Sequence, residues 1–251
     1  ADTSFLDWPF LEPKHKALHA ALEAWASDNL RHVDHDNTDQ TCQALVAALG
    51  AAGILKHTGV NATFPQIDVR SLCLIRETLA RHDGLADFAF AMQGLGTMAI
   101  SLFGSETQKA DWLPKVQSGA ALSAFALSEP QSGSDVANLQ LSARRDGNGY
   151  VLNGEKTWIS NGGIADVYTV FARTGEAPGG RGISAFIVPA DTPGPEIAER
   201  PETVSPHPRA RPQTHLAPRH VPARPHDRRS SGATRWRAIR RSGAHAPARC
   251  T

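Results

Sequence analysis

Near residue 120 the spacing of apolar residues changes from a helical period to a strand period, and that break divides the chain. Ahead of it apolar side chains recur at three- and four-residue intervals, the mark of one buried helix face. Pro13 stands just inside a helix start and is followed by Leu18, Leu22 and Trp25. Cys42, Leu45, Val46 and Leu49 form a second face that stops at Gly50 and Gly53, and Leu72, Ile75 and Leu79 a third. A fourth runs through Leu85, Phe88, Met92, Leu95, Ala99 and Leu102 to Gly104. Ser105-Glu106-Thr107-Gln108 has the capping-box pattern and opens a fifth helix that closes near Gly119, with Pro114 predicting a kink or an early stop. Past the break, 120–128, 140–145, 150–156, 167–172 and 183–188 read as strands. Asp146-Gly147, Asn148-Gly149, Asn153-Gly154 and Asn161-Gly162-Gly163 are the turn signals between them. Helices first and antiparallel strands second predict an α+β fold: a helical domain over 1–119, then a β domain over 120–199.

A second break lies near residue 193. Residues 1–199 hold 14 Lys+Arg and 23 Asp+Glu, a net of −9, whereas residues 200–251 hold 12 Arg against Glu202 and Asp227, a net of +10. The overall balance of 26 basic and 25 acidic residues therefore describes neither part. The last segment also carries 8 of the 17 prolines, with Trp236 its single aromatic residue. It buries too little apolar surface to offset the cost of ordering the backbone, so 200–251 is predicted to be a disordered Arg/Pro-rich tail. Its arginines could meet phosphates, but they follow no helical stripe and stacking aromatics are nearly absent; neither nucleic acid nor membrane is expected as a partner. The composition resembles GC-rich coding DNA read out of frame, so the native reading frame is expected to end near 193–208. No apolar run is read as approaching the ~18–20 residues that cross a bilayer. The N-terminus lacks the pattern of a secretory or transit peptide, and Cys42, Cys73 and Cys250 are too scattered for a disulfide framework. A cytoplasmic location is expected.

Two segments carry candidate chemistry. In Phe125-Ala126-Leu127-Ser128-Glu129-Pro130-Gln131-Ser132-Gly133-Ser134-Asp135 a strand runs into a turn dense in hydroxyls. Gly133 permits a positive φ there, and consecutive amides with short hydroxyls could form an anion- or carbonyl-binding nest. In Lys156-Thr157-Trp158-Ile159-Ser160-Asn161-Gly162-Gly163 alternation places Trp158 and Ser160 on one face, an indole and a donor suited to a flat, partly polar heterocycle. An ordinary polar turn and a core tryptophan are the competing readings. His15, His19 and Glu23 have ligand spacing on one helix, but a solvated face is expected rather than a metal site.

FALSEPQSGSDV and LNGEKTWISNGG, in this order behind a helical lobe, together resemble the signatures of the acyl-CoA dehydrogenase family, and the likeness covers residues 1–200. Asn138 stands where that family usually keeps a small residue. The resemblance implies an incomplete barrel-like β domain, FAD as cofactor and oxidation of an acyl-CoA thioester to its trans-2-enoyl form. It implies an electron-transfer flavoprotein or similar acceptor and a homodimer or homotetramer; an acyl-CoA oxidase, a non-catalytic remnant and a nucleic-acid-binding protein are the alternatives. By position, Phe125, Leu127, Ser128, Ser134, Trp158, Ile159 and Ser160 would contact the cofactor. Ser134, Met92, Leu95, Gly96 and Ala99 would contact the substrate. Glu129 matches a structural glutamate. The family's catalytic glutamate lies on a C-terminal four-helix bundle, or on a helix next to it, that this sequence does not show, so no catalytic residue is assigned and the chain is expected to be inactive.

Overall fold

The computed structural model describes residues 2–146 and 149–192 in full, together with the backbone of three strands, Pro195–Glu199, Thr214–Pro218 and Ala238–Ile239. Five helices come first: α1 (Pro13–Asn29), α2 (Thr38–Ala51), α3 (Val69–His82), α4 (Gly84–Phe103) and α5 (Glu106–Gln117). Their starts are chemically marked. Asn37 accepts the Gln40 amide, Asp83 accepts those of Leu85 and Ala86, and Ser105 and Gln108 close a reciprocal box. Pro114 neither stops nor shortens α5: the helix continues to Gln117, and the Ser118 amide donates to the Pro114 carbonyl.

Leu22, Cys42, Leu45, Val46, Leu49, Ile75, Leu79 and Phe90 form the core of this lobe, with Leu18, Trp25, Leu72 and Phe88 at its margin. Helix α4 departs from the predicted face. Leu85 is buried as expected, but with it lie Ala86, Ala89, Phe90, Gln93, Gly94, Gly96, Thr97, Ile100 and Ser101, whereas Leu95 and Leu102 are 42% and 54% exposed. Two polar members of that side are satisfied: Gln93 donates to the Ala121 carbonyl and accepts the Ser123 amide, and Thr97 donates to the Gln93 carbonyl. Small and hydrogen-bonded residues let the helix lie close against a strand, which an apolar count cannot register. At 20 residues α4 is also long and apolar enough to cross a membrane by length and composition, contrary to the sequence reading, although half of it is buried within the protein.

The β lobe contains β1 (Ser123–Ala126), β2 (Ser142–Asp146), β3 (Gly149–Asn153), β4 (Lys156–Ile159), β5 (Val167–Arg173) and β6 (Ile183–Pro189). The helix-then-strand order is the predicted one, but the strand directions are mixed. β5 is antiparallel to β6 along its whole length and parallel to β1, with Ser123 opposite Val167 and Ala126 opposite Val170. β2 meets the far end of β5, also in parallel, and pairs with β3 as a hairpin. The chain between β1 and β5 is long enough for the crossover that parallel pairing needs. The strand predicted over 150–156 is broken at Gly154, whose φ of +146° lies outside what side-chain-bearing residues adopt and whose Cβ position would stand 2.7 Å from the Leu141 Cα. Most of the stretch predicted to be disordered lies outside the described residues. Within it, the backbone of β8 (Thr214–Pro218) pairs with β4 and with β7 (Pro195–Glu199), and that of β9 (Ala238–Ile239) pairs with β6.

Candidate functional site

The ends of β1 and β4 lie side by side. The Thr157 amide donates to the Ser128 carbonyl at 2.9 Å, so the two segments singled out in the sequence meet backbone to backbone. Beneath this contact sits a buried ion pair. Lys156 Nζ donates to Glu129 Oε1 at 2.8 Å and to the Leu127 carbonyl at 2.9 Å, with both charged side chains only 1% exposed. Glu129 also accepts the amides of Gln140 and Leu141 and the Gln131 side chain. Burial alone would push the Glu129 carboxyl up, but those amides and the Lys156 ammonium hold it below its ordinary value. Burial lowers the Lys156 ammonium, with Glu129 opposing. Lys156 is a residue that sequence reasoning missed; its signal was a lysine two positions ahead of Trp158 in a short strand.

Past Lys156 the strand turns outward. Trp158 has φ +57° and is 53% exposed, Ile159 is buried in the β-lobe core, and Ser160 is half-buried. Asn161, buried and also left-handed, donates to the Ser123 carbonyl at 2.9 Å. Neither the Ser128 nor the Ser160 hydroxyl bonds another described residue, so both remain available to a ligand.

The other candidates divide. Phe125 is half-buried and its ring packs 5.0 Å from that of Phe171. Leu127 is half-buried beside Ser128. Ile159 points into the core, so its side chain is not part of an open surface there. Ser134 is exposed on the turn after β1. That turn is closed by Glu129 and Ser132 exchanging backbone bonds and by the Ser132 hydroxyl donating to the Asp135 carbonyl at 2.5 Å. Gly133 does not have a positive φ and a Cβ there would meet nothing, so neither strain nor close approach explains it. On α4, Met92 and Ala99 are half-buried and Leu95 is open, but Gly96 faces β1 rather than the open stripe. The helical His15, His19 and Glu23 do not form one cluster, although His19 Nε2 stands 3.5 Å from Glu23, and the face is not the solvated one expected, since His15 and His19 are buried. His15 Nε2 pairs with Asp68, and Glu23 is taken by Arg81 and His82. Among the described residues no cluster of ligating side chains could hold a metal ion.

The carboxylates predict the acid limb of stability. Glu129 is held below its ordinary 4.5, and Asp68, bonded by Arg70, His15 and Lys14 against the cost of its own burial, is held below 3.8. Each contributes stability that is complete above its ordinary value and is lost as pH falls through its depressed one. Urea midpoints are expected to fall steadily below about pH 4. A midpoint that holds at about pH 3 would contradict both assignments.

Comparison with known proteins gives the same division of the chain. The model of the acyl-CoA dehydrogenase N-terminal domain matches residues 12–120 and that of the middle domain matches residues 124–216. The second match runs past the 193–208 window in which the sequence alone placed the end of the native frame. A probable acyl-CoA dehydrogenase of Mycobacterium leprae is 36% identical over 193 residues, covering 76% of this chain and 50% of that protein. A glutaryl-CoA dehydrogenase from Mycobacterium smegmatis, solved in complex with FADH2, superposes with a TM-score of 0.72 at 31% identity, covering 84% of this chain and 54% of that one. The solved electron transferring flavoprotein of Acidaminococcus fermentans gives 0.70 at 26% identity, covering 84% and 57%. The chain thus spans about half the length of the curated relatives it matches.

Proposed function

Because the chain belongs to the acyl-CoA dehydrogenase family, we propose that the paired ends of β1 and β4 hold the isoalloxazine ring of FAD in a protein that oxidises acyl-CoA thioesters to trans-2-enoyl-CoA. The observation that carries this reading is the bond between the Ser128 carbonyl and the Thr157 amide, which joins the backbones of the two segments that bear Ser128, Trp158 and Ser160. The donor set fits the group. A planar heterocycle with a polar edge needs an aromatic face and short donors at its rim, and Trp158, Ser128 and Ser160 supply them. Bound flavin would supply the acceptor for the hydride leaving the substrate β-carbon. Ser128 and Ser160 would then donate to ring positions that gain electron density, stabilising the reduced state more than the ground state. The face of α4 that carries half-buried Met92 and Ala99 and open Leu95 would take the acyl chain, and exposed Ser134 the polar end of CoA. Glu129 is not the base that removes the α-proton, since its oxygens are committed to Lys156, Gln131 and two amides. The electron acceptor would be an electron-transfer flavoprotein or a similar carrier.

The test is equilibrium titration of the purified full chain with FAD, read by tryptophan quenching and by flavin absorbance retained after gel filtration. Saturable binding is expected, weakened about tenfold by Ser128→Ala, as loss of one ligand hydrogen bond predicts. A folded chain that neither quenches nor retains flavin would overturn the reading.

A further inference from the structure

Trp158 and Asn161 are the two non-glycine residues with positive φ among the described residues, and they bracket Ser160. Asparagine tolerates the left-handed region; a bulky aromatic does so only where its surroundings over-determine it. The surroundings here act from both sides. On the near side, Lys156 is locked to Glu129 and Leu127, and Thr157 to Ser128. On the far side Ile159 is buried in the β-lobe core and accepts the Gly162 amide, and Asn161 reaches past it to other elements. The Asn161 Nδ2 donates to the Ser123 carbonyl at 2.9 Å, its Oδ1 faces the Cys42 thiol at 3.9 Å, a weak donor, and its carbonyl accepts the amides of Ile164 and Ala165. The same side chain therefore ties the end of β4 to β1 and to helix α2, and Cys42 is itself buried in the helical core.

We propose that Asn161 is the positioning residue of this site. By anchoring the chain just past Ser160 to β1 and to α2, it fixes the outward stance of the Trp158 ring and of the Ser160 hydroxyl, and so makes α2 part of the support for the bound ring. The assignment rests on the flavin reading above only in naming what Trp158 and Ser160 meet.

Two variants separate this role from general stability. Asn161→Gly keeps the left-handed backbone accessible and removes the amide; Cys42→Ala removes the thiol that links Asn161 to α2 and keeps a good helix former. The full chain, labelled with 5-fluorotryptophan, is read by fluorine NMR, with the Trp158 resonance assigned through Trp158→Phe. Asn161→Gly is expected to shift or broaden the Trp158 resonance while those of Trp25 and Trp112 hold, and Cys42→Ala to move it the same way by less. FAD affinity should fall about tenfold in Asn161→Gly. A chain that binds no flavin, yet whose Trp158 resonance responds, would remove the flavin reading and leave the positioning role standing. An unmoved Trp158 resonance in both variants, or in Cys42→Ala alone should Asn161→Gly not fold, overturns it. So does unaltered affinity in a flavin-binding Asn161→Gly chain.

Discussion

Lys156→Met is expected to lower folding stability by about 3–5 kcal/mol, because it leaves the Glu129 carboxylate buried without its counter-charge. Methionine fills nearly the same volume, so the loss is electrostatic rather than a cavity. Its size is moderated by the amides of Gln140 and Leu141, which continue to solvate the carboxylate, and the lower end of the range is the sharper expectation. Glu129→Gln strands the opposite charge but has an escape. Burial already depresses the Lys156 ammonium, and without the carboxylate it sheds its proton more readily. The Glu129→Gln penalty should therefore shrink as pH is raised from about 7 to about 9, whereas that of Lys156→Met should not. The double variant Glu129→Gln/Lys156→Met should be more stable than the sum of the single losses implies, since it buries no charge and the carboxamide oxygen introduced by Glu129→Gln can still accept one amide. Urea unfolding of the four proteins closes the cycle, and a coupling energy below about 0.5 kcal/mol would mean the pair does not hold the two strand ends together.

The lobes and their order were legible in the sequence because each helix of the first lobe advertises itself locally. Thr38–Ala51 is the clear case: the four residues assigned to its inner face, Cys42, Leu45, Val46 and Leu49, are the four that are buried. Helix α4 was legible as a helix but not in its orientation. Leu95 and Leu102 of its predicted stripe are open, and the side that packs mixes Leu85, Phe90 and Ile100 with small and polar residues that meet the backbone of β1, some thirty positions away. Periodicity reports which side chains avoid water, not which receive hydrogen bonds from a distant strand. The same limit applies at the site. Ser128, Trp158 and Ser160 stood out as a pattern, while the groups that hold them, Lys156 under the strand ends and Asn161 behind them, act through contacts between residues 27 and 38 positions apart. Those contacts become visible only once the parallel pairing of β1 and β5 has brought the segments together.

Gly94→Ala and Gly96→Ala should have effects of opposite sign, although composition offers no reason to separate two glycines of one helix. Each substitution gains roughly 0.5–1 kcal/mol of helix propensity. At position 94 the new methyl would stand 3.5 Å from the Thr58 Cβ, an ordinary contact, so the gain survives. At position 96 it would stand 2.4 Å from the Ser123 Oγ, 2.7 Å from the Ser123 Cβ and 3.1 Å from the Ala124 amide. Little there can move. The Ser123 hydroxyl is bonded to the Met92 and Gln93 carbonyls, and Ala124 lies in a strand held by β5. Pushing α4 outward instead would stretch the 2.6 Å bond from the Thr169 hydroxyl to the Gly96 carbonyl, which also joins the lobes. Overpacking of this kind costs about 1–3 kcal/mol, enough to exceed the helical gain. Urea unfolding is expected to place Gly94→Ala at or above the parent chain and Gly96→Ala clearly below it. Adding Ser123→Ala should not rescue Gly96→Ala, because the Ser123 Cβ and the strand backbone remain in the way. Equal losses at the two positions would mean that the contact between α4 and β1 is not tight, and the support it lends to the β1 end, and with it to Ser128, would go too.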